Sequence, residues 1–173
     1  MEQVILVDEN DRQIGLMEKQ AAHIEPHLHR AFSIFLFNSK GELLMQQRAL
    51  SKYHSPGLWT NTCCSHPRDG ETLTEATSRR LMEEMGMTCE MHEVYTFIYK
   101  APVGQGLTEH EFDHVWIGRS DDIPQINREE VESWKYVSLS DLKEDLLLHP
   151  ELYTEWFKIT FEEMSHHAEL LGI

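Results

Sequence analysis

The stretch from Asn61 to Pro67, reading Asn-Thr-Cys-Cys-Ser-His-Pro, constrains this chain more than any other. It follows a Pro56-Gly57 turn and an aromatic, Trp59, and it precedes a Gly70-Glu71-Thr72 helix start, so the segment from Leu58 to Cys64 reads as extended. Side chains alternate faces along such a segment, which puts Cys64 and His66 on one face and Cys63 on the other. One thiol can then face a pocket while its neighbour packs into the core.

The flanking sequence supplies a sheet and helices around that segment. Val4 to Asp8 and Ile14 to Met17 read as a hairpin, and Ala21 to Arg30 as irregular or briefly helical. Phe32 to Phe37 and Glu42 to Arg48 read as a second hairpin closed by Gly41. Val94 to Ala101, Glu109 to Ile117 and Val131 to Val137 read as further strands. A helix is expected from Glu71 to Met85, capped by Thr72 or Thr74 and stopped by Gly86. A second should start at Ser138 or Ser140 and run through Leu148. A last one should open at Pro150 and run towards Leu171, with Leu152, Trp156, Ile159 and Glu163 along one stripe. The expected class is α+β, a mixed sheet core packed between helices, with an N-terminal hairpin and C-terminal helices.

With 173 residues, 40% of them hydrophobic, the chain fits one domain over residues 1–173. Its formal net charge of -15 argues against nucleic acid or an anionic membrane as partner. An anionic ligand must therefore be held locally, by a metal or a few placed cations. The three cysteines, two of them adjacent, do not make a disulfide framework, and free thiols in a reducing cytoplasm are expected. No basic region followed by an apolar one opens the chain, and no run approaches the roughly 18 apolar residues of a spanning helix. No long apolar stripe demands a partner, so a monomer is expected, with a dimer as the alternative.

Of the 11 histidines, His54, His92, His149, His166 and His167 read as surface or satisfied structural residues. His23, His29 and His66 stand apart because they can converge with Glu109 and Glu111, which share one face of a strand at i, i+2, a face that Asp113 continues. Three imidazoles and two carboxylates suit five- or six-coordinate Mn²⁺, Mg²⁺ or Zn²⁺ rather than a closed structural zinc. An exposed acidic edge strand is the competing explanation. Glu83 and Glu84 end a helix whose macrodipole disfavours them by up to about 1 kcal/mol, a penalty that a cation removes. Cys64 and His66 project in parallel, roughly 6 to 7 Å apart at their backbones, which is awkward for a thiol-imidazole nucleophile.

The segments Glu18 to His23, Leu28 to Ser33, Arg48 to Lys52, Pro56 to Pro67 and Glu109 to Glu111 together give the chain a resemblance to the type I isopentenyl-diphosphate isomerases of the Nudix superfamily. The resemblance implies that Cys64 is a catalytic thiol and that His23, His29, His66, Glu109 and Glu111 bind the first metal. It also makes Glu111 the catalytic carboxylate and Tyr99 an active-site tyrosine. Glu84 would help hold Mg²⁺ carried in with a diphosphate. Lys19, Arg48, Lys52 and Arg80 would contact that diphosphate, and Trp156 would line the pocket.

The same resemblance implies a function. An unactivated alkene is protonated on one face and deprotonated on the other, a 1,3-allylic proton shift from isopentenyl to dimethylallyl diphosphate. Glu111 would serve the first face and Cys64 the second as base, while the ring face of Trp156 would stabilise the cation by about 1 to 2 kcal/mol. In the box that marks hydrolytic Nudix members, Ser65 stands for the first glycine, while Glu71, Arg79, Leu81, Glu83, Glu84, Gly86 and Met87 match. Arg80 replaces a metal-binding glutamate and reverses the local charge, against hydrolysis at phosphorus. A Nudix diphosphate hydrolase and a non-catalytic metal-binding module are the alternatives.

Overall fold

The computed structural model describes residues 1–173. Strands β1 (Gln3–Val7) and β2 (Gln13–Glu18) lead into helix α1 (Lys19–Ile24), then strands β3 (His29–Phe37), β4 (Glu42–Arg48), β5 (Trp59–Thr60) and β6 (Cys63–Ser65). Helix α2 (Leu73–Met85) follows, then strands β7 (Met91–Gly104), β8 (Leu107–Arg119) and β9 (Val131–Ser138), and helices α3 (Leu139–Leu148) and α4 (Glu155–Leu170). The strands form one mixed sheet with helices on both faces, the α+β arrangement expected. No helix is long and apolar enough to cross a membrane.

Strand β3 organises the layers. Every residue in it except Arg30 is buried, as a strand covered on both faces requires. Phe32, Ile34 and Leu36 point to one side and pack with Cys63, Leu81 and Met85 under α2. Phe35 and Phe37 point to the other and pack with Phe157, Phe161 and Met164 of α4. Phe157 is fully buried at the centre of that layer. Phe157→Ala is expected to cost roughly 3–5 kcal/mol, read as a lower urea midpoint at unchanged slope.

The first hairpin forms as expected, β1 against β2. The second forms only at its turn, where Gly41 has φ +74°. The ladder between β3 and β4 is limited to Phe37 and Leu43. Beyond it the strands part, β3 pairing in parallel with β8 and antiparallel with β6, and β4 pairing with β9 and β5. The extended segment Leu58 to Cys64 is accordingly split in two. Thr62 fills the gap, its hydroxyl accepting from Leu36 N at 2.9 Å and donating to Leu44 O at 2.6 Å.

Helix α2 starts with a capping box of Thr72 and Glu75, so Thr72 rather than Thr74 is the cap. It ends at Gly86, whose φ of +61° and the Gln125 carbonyl, 2.5 Å from where a Cβ would stand, leave room for no side chain. Ser138 caps α3. Helix α1 begins at Lys19, its first amides taken by the Glu18 carboxylate, so the stretch expected to be irregular or briefly helical is briefly helical to Ile24 and enters β3 at His29.

The last helix differs in start and phase. Pro150–Leu152 is a separate 3-10 turn, and Tyr153 and Thr154 are extended because they are stitched to Trp59, Thr154 N donating to Trp59 O at 3.0 Å. Helix α4 restarts at Glu155, and its buried face is Trp156, Phe157, Thr160, Phe161, Met164 and Ala168. Leu152, Ile159 and Glu163 are exposed, so only Trp156 of the expected stripe faces inward. The aromatic pair Phe157 and Phe161 sets the phase, one residue on from the stripe read in the sequence.

Candidate active site

Strand β8 carries Glu109, Glu111 and Asp113 on one face, all buried, as the two-residue strand period dictates. Parallel pairing with β3 sets His29 directly beside Glu111, and antiparallel pairing with β7 sets Tyr99 across from it. Helix α1 brings His23, and the strand end after β6 brings His66. The nitrogens of His23, His29 and His66 that can bind a metal lie within 4.8 Å of one another.

The donors are aimed. His23 Nδ1 bonds the Lys19 carbonyl at 2.6 Å and His29 Nδ1 the His27 carbonyl at 2.9 Å. Both Nε2 atoms are thereby turned towards the carboxylates, His23 at 3.3 Å from Glu109 Oε1 and His29 at 3.4 Å from Glu111 Oε2. His66 Nε2 lies 2.8 Å from the same Glu111 oxygen. His29 Nε2 and His66 Nδ1 are buried without a hydrogen-bond partner. Imidazoles oriented by carbonyls, converging with two buried carboxylates, fit a divalent cation.

The two carboxylates differ in charge. Burial, and then Glu109, push the Glu111 carboxyl up to about 7. Glu109 is also driven up by burial, but its bonds to His23 and His54 bring it well below the usual carboxylate range. Tyr99 joins them, its hydroxyl 2.5 Å from Glu109 Oε2 and in contact with Glu111 Oε1. One phenolic proton serves one carboxylate, so the second contact needs a proton on the other carboxyl.

Cys64 faces the same cavity as His66, while Cys63 is fully buried under α2, the division expected from alternation. The Cys64 thiol lies 3.0 Å from Asn61 Oδ1 and 3.5 Å from Ser33 Oγ, and Trp156 Nε1–H donates to its sulfur at 3.1 Å. Ser33 in turn donates to Asp113 at 2.7 Å. Burial, and then the Asp113 charge, push this thiol far up. The Trp156 indole therefore presents its N–H edge to Cys64, and the Arg48 guanidinium sits over its ring at 5.3 Å.

The cavity, of about 310 Å³, is lined by Cys64, His66, Glu109, Glu111 and Trp156 together with Lys19, Arg48, Lys52, Arg80 and Glu84. His23, His29 and Tyr99 stand behind its wall. Arg80 reaches Glu83 at 2.6 Å and Glu84 at 2.5 Å, so an internal cation lies against the carboxylates that end α2. Glu84 also accepts from Gln46 at 2.8 Å and stands apart from the histidine cluster. Lys52 pairs with Glu130 and Lys19 with Glu2.

Asn61, Glu130 and His54 were not singled out from the sequence. His54 is buried, with Nε2 3.0 Å from Glu109 Oε1, the satisfied structural residue of the two roles expected of it rather than the surface one. Asn61 had a signal, since it opens the constraining segment. Its Nδ2 donates to the Ile34 and Cys63 carbonyls, which leaves Oδ1 turned to Cys64.

The NUDIX domain family matches residues 27–157. The chain is 50% identical over 165 residues to an isopentenyl-diphosphate Delta-isomerase of Pectobacterium atrosepticum, covering 95% of this chain and 92% of that protein. It is 51% identical over 171 residues to isopentenyl-diphosphate Delta-isomerase 2 of Aromatoleum aromaticum, covering 99% and 90%. A crystal structure from Deinococcus radiodurans superposes with a TM-score of 0.79 over 94% of this chain and 98% of that one, at 23% identity, and speaks for the fold alone. With half of its residues shared over nearly its whole length, the chain belongs to the type I isopentenyl-diphosphate Delta-isomerases of the NUDIX family.

Proposed function

We infer that the chain, acting as one catalytic domain, interconverts isopentenyl and dimethylallyl diphosphate by a 1,3-allylic proton shift. The observation that carries this reading is a thiol and a buried carboxyl, Cys64 and Glu111, opening on one cavity that is also lined by four cations. A divalent cation held by His23, His29, His66, Glu109 and Glu111 supplies fixed positive charge beside the carboxylate pair, and Mg²⁺ carried with the diphosphate near Glu84 offsets the substrate's charge. Mn²⁺ or Zn²⁺ at the histidines suits the imidazole-rich donor set as well as Mg²⁺ does.

In this proposal Lys19, Arg48, Lys52 and Arg80 take the diphosphate, Lys19, Lys52 and Arg80 exchanging their carboxylate partners for its oxygens. Glu111 gives its proton to the terminal alkene carbon, with Tyr99 linking it to the ionised Glu109. Cys64, once its own proton has left to solvent, takes a proton as thiolate from the carbon on the diphosphate side, and Trp156 orients the sulfur through its N–H and closes the cavity to water. The position of Arg80 against Glu83 and Glu84 argues against hydrolysis, because those carboxylates already face a cation.

The test is label exchange. Incubated with isopentenyl diphosphate in deuterated water, the protein is expected to form dimethylallyl diphosphate carrying deuterium in a methyl group, detected by NMR, with no phosphate released. Product without label, or phosphate without product, would overturn the proposal.

A further inference from the structure

Glu130 closes the turn before β9, and its side chain lines the same cavity as the four cations. Its Oε2 bonds the Lys52 ammonium and lies 3.5 Å from Arg80 Nη2, so one carboxylate oxygen stands between two of the cations assigned to the diphosphate. The backbone holds it there. Val131 opens β9 opposite Arg48, Ala49 N donates to the Glu130 carbonyl at 3.1 Å, and Glu130 N donates to Asn127 O at 2.9 Å. Asn127 N in turn donates to Glu84 O, also at 2.9 Å. The turn is thus tied both to the strand end that leads to Lys52 and to the helix that carries Arg80.

Six glutamates line the cavity against four lysines and arginines, so the side chains alone offer a free diphosphate no net positive charge. Glu109 and Glu111 turn to the histidines, and Glu84 turns to Arg80 and Gln46. The Glu2 side chain is 61% exposed and Glu129 is exposed as well, so both can turn to water. Glu130, its side chain 26% exposed and its backbone bonded on both sides, stays in the cavity wall when Lys52 changes partner. It then faces the incoming phosphate oxygens as a like charge, and positive charge brought in with the diphosphate offsets that repulsion.

We propose that Glu130 is a specificity-determining residue: it holds the place of an anion between Lys52 and Arg80, and so makes the cavity accept a diphosphate complexed with Mg²⁺ and discriminate against the free one. Before substrate arrives, the same carboxylate offsets the mutual repulsion of Lys52 and Arg80 and keeps both in place.

The inference rests on Lys52 and Arg80 taking the diphosphate, and the experiment separates the two. Inorganic pyrophosphate is titrated by calorimetry, with and without excess Mg²⁺, into protein loaded with equimolar Mn²⁺. Glu130→Gln and Glu130→Ala are each expected to bind Mg²⁺-free pyrophosphate about 10-fold more tightly than the unaltered chain does, with little change when Mg²⁺ is present. Two variants keep the test from hanging on one of them folding. Glu130→Asp keeps the charge and should keep the discrimination, as should Glu129→Gln, which removes the same charge from the exposed neighbour. Lys52→Ala is expected to weaken binding of the Mg²⁺ complex about 10-fold. Unchanged Mg²⁺-free affinity in Glu130→Gln and Glu130→Ala, with Lys52→Ala weakened, overturns the inference alone. An equal gain in Glu129→Gln makes the effect one of overall charge and also overturns it. Weaker binding of the Mg²⁺ complex in Glu130→Gln makes Glu130 a ligand of that ion, against the inference. Unchanged binding in Lys52→Ala overturns the diphosphate reading and the inference with it.

Discussion

Replacing Cys64 by alanine is expected to reduce isomerisation by about 100- to 10,000-fold, the contribution of one positioned proton-transfer group, while metal content and fold are retained. The sulfur opens on the cavity, and it holds its place through Asn61, Ser33 and Trp156 rather than through any metal-binding residue. Truncation leaves the Trp156 N–H without its acceptor, at a cost of about 1–3 kcal/mol, so some loss of stability should accompany the loss of turnover. Two measurements separate the effects: conversion of isopentenyl diphosphate followed by NMR, and the Mn²⁺ stoichiometry of the same sample. Near-normal turnover would remove Cys64 from the mechanism. Lost turnover together with lost metal would make the thiol structural.

The resting protonation of the site bears on direction. Each forward turnover starts from a Cys64 thiolate and a protonated Glu111 and ends with the thiol protonated and the carboxyl ionised, so the proton that burial and Asp113 keep on the resting sulfur must leave to solvent before the sulfur can act as base. Burial and Asp113 favour the proton on sulfur, whereas burial and Glu109 keep a proton on Glu111 up to about pH 7. Asn61 Oδ1, fixed by its amide's bonds to two carbonyls, holds the S–H in one orientation. In the reverse direction that protonated thiol is the acid, by microscopic reversibility.

Much of this geometry was legible because it follows from the two-residue period of strands. Cys63, Cys64 and His66 separate onto two faces, and Glu109 and Glu111 share one, whatever the surrounding fold. Helix boundaries were legible where local chemistry sets them, as at Thr72, Gly86 and Ser138. What the sequence hid depends on contacts between distant segments. The partner of β3 is β8, more than 80 residues on, and nothing local reports that pairing in preference to the adjacent β4. Helix α4 begins late because Tyr153 and Thr154 are held by Trp59. His54 belongs to a loop with no periodicity, and only the folding of that loop over β8 brings its ring to Glu109. The edge-on Trp156 likewise depends on α4 being phased by Phe157 and Phe161.

Glu111→Gln probes the opposite face of the reaction and is expected to lower turnover by about 100- to 10,000-fold, with a separate and smaller loss of metal affinity. Glutamine has the shape of the glutamate, so the contacts to Tyr99 and the packing on β3 survive. An amide has no proton acidic enough for an alkene, and its nitrogen, standing where Oε2 faces His29 and His66 at 3.4 and 2.8 Å, cannot ligate an ion. The two losses separate by dose. Saturating the variant with Mn²⁺ restores whatever part of the defect comes from weakened binding, and the part that persists belongs to proton transfer. Deuterium incorporation into isopentenyl diphosphate should disappear along with product, because without the acid the substrate never reaches the cationic state from which label is retained. Full activity at saturating metal would exclude Glu111 as the acid and transfer that role to Tyr99, the other proton-bearing group in contact with the carboxylate pair.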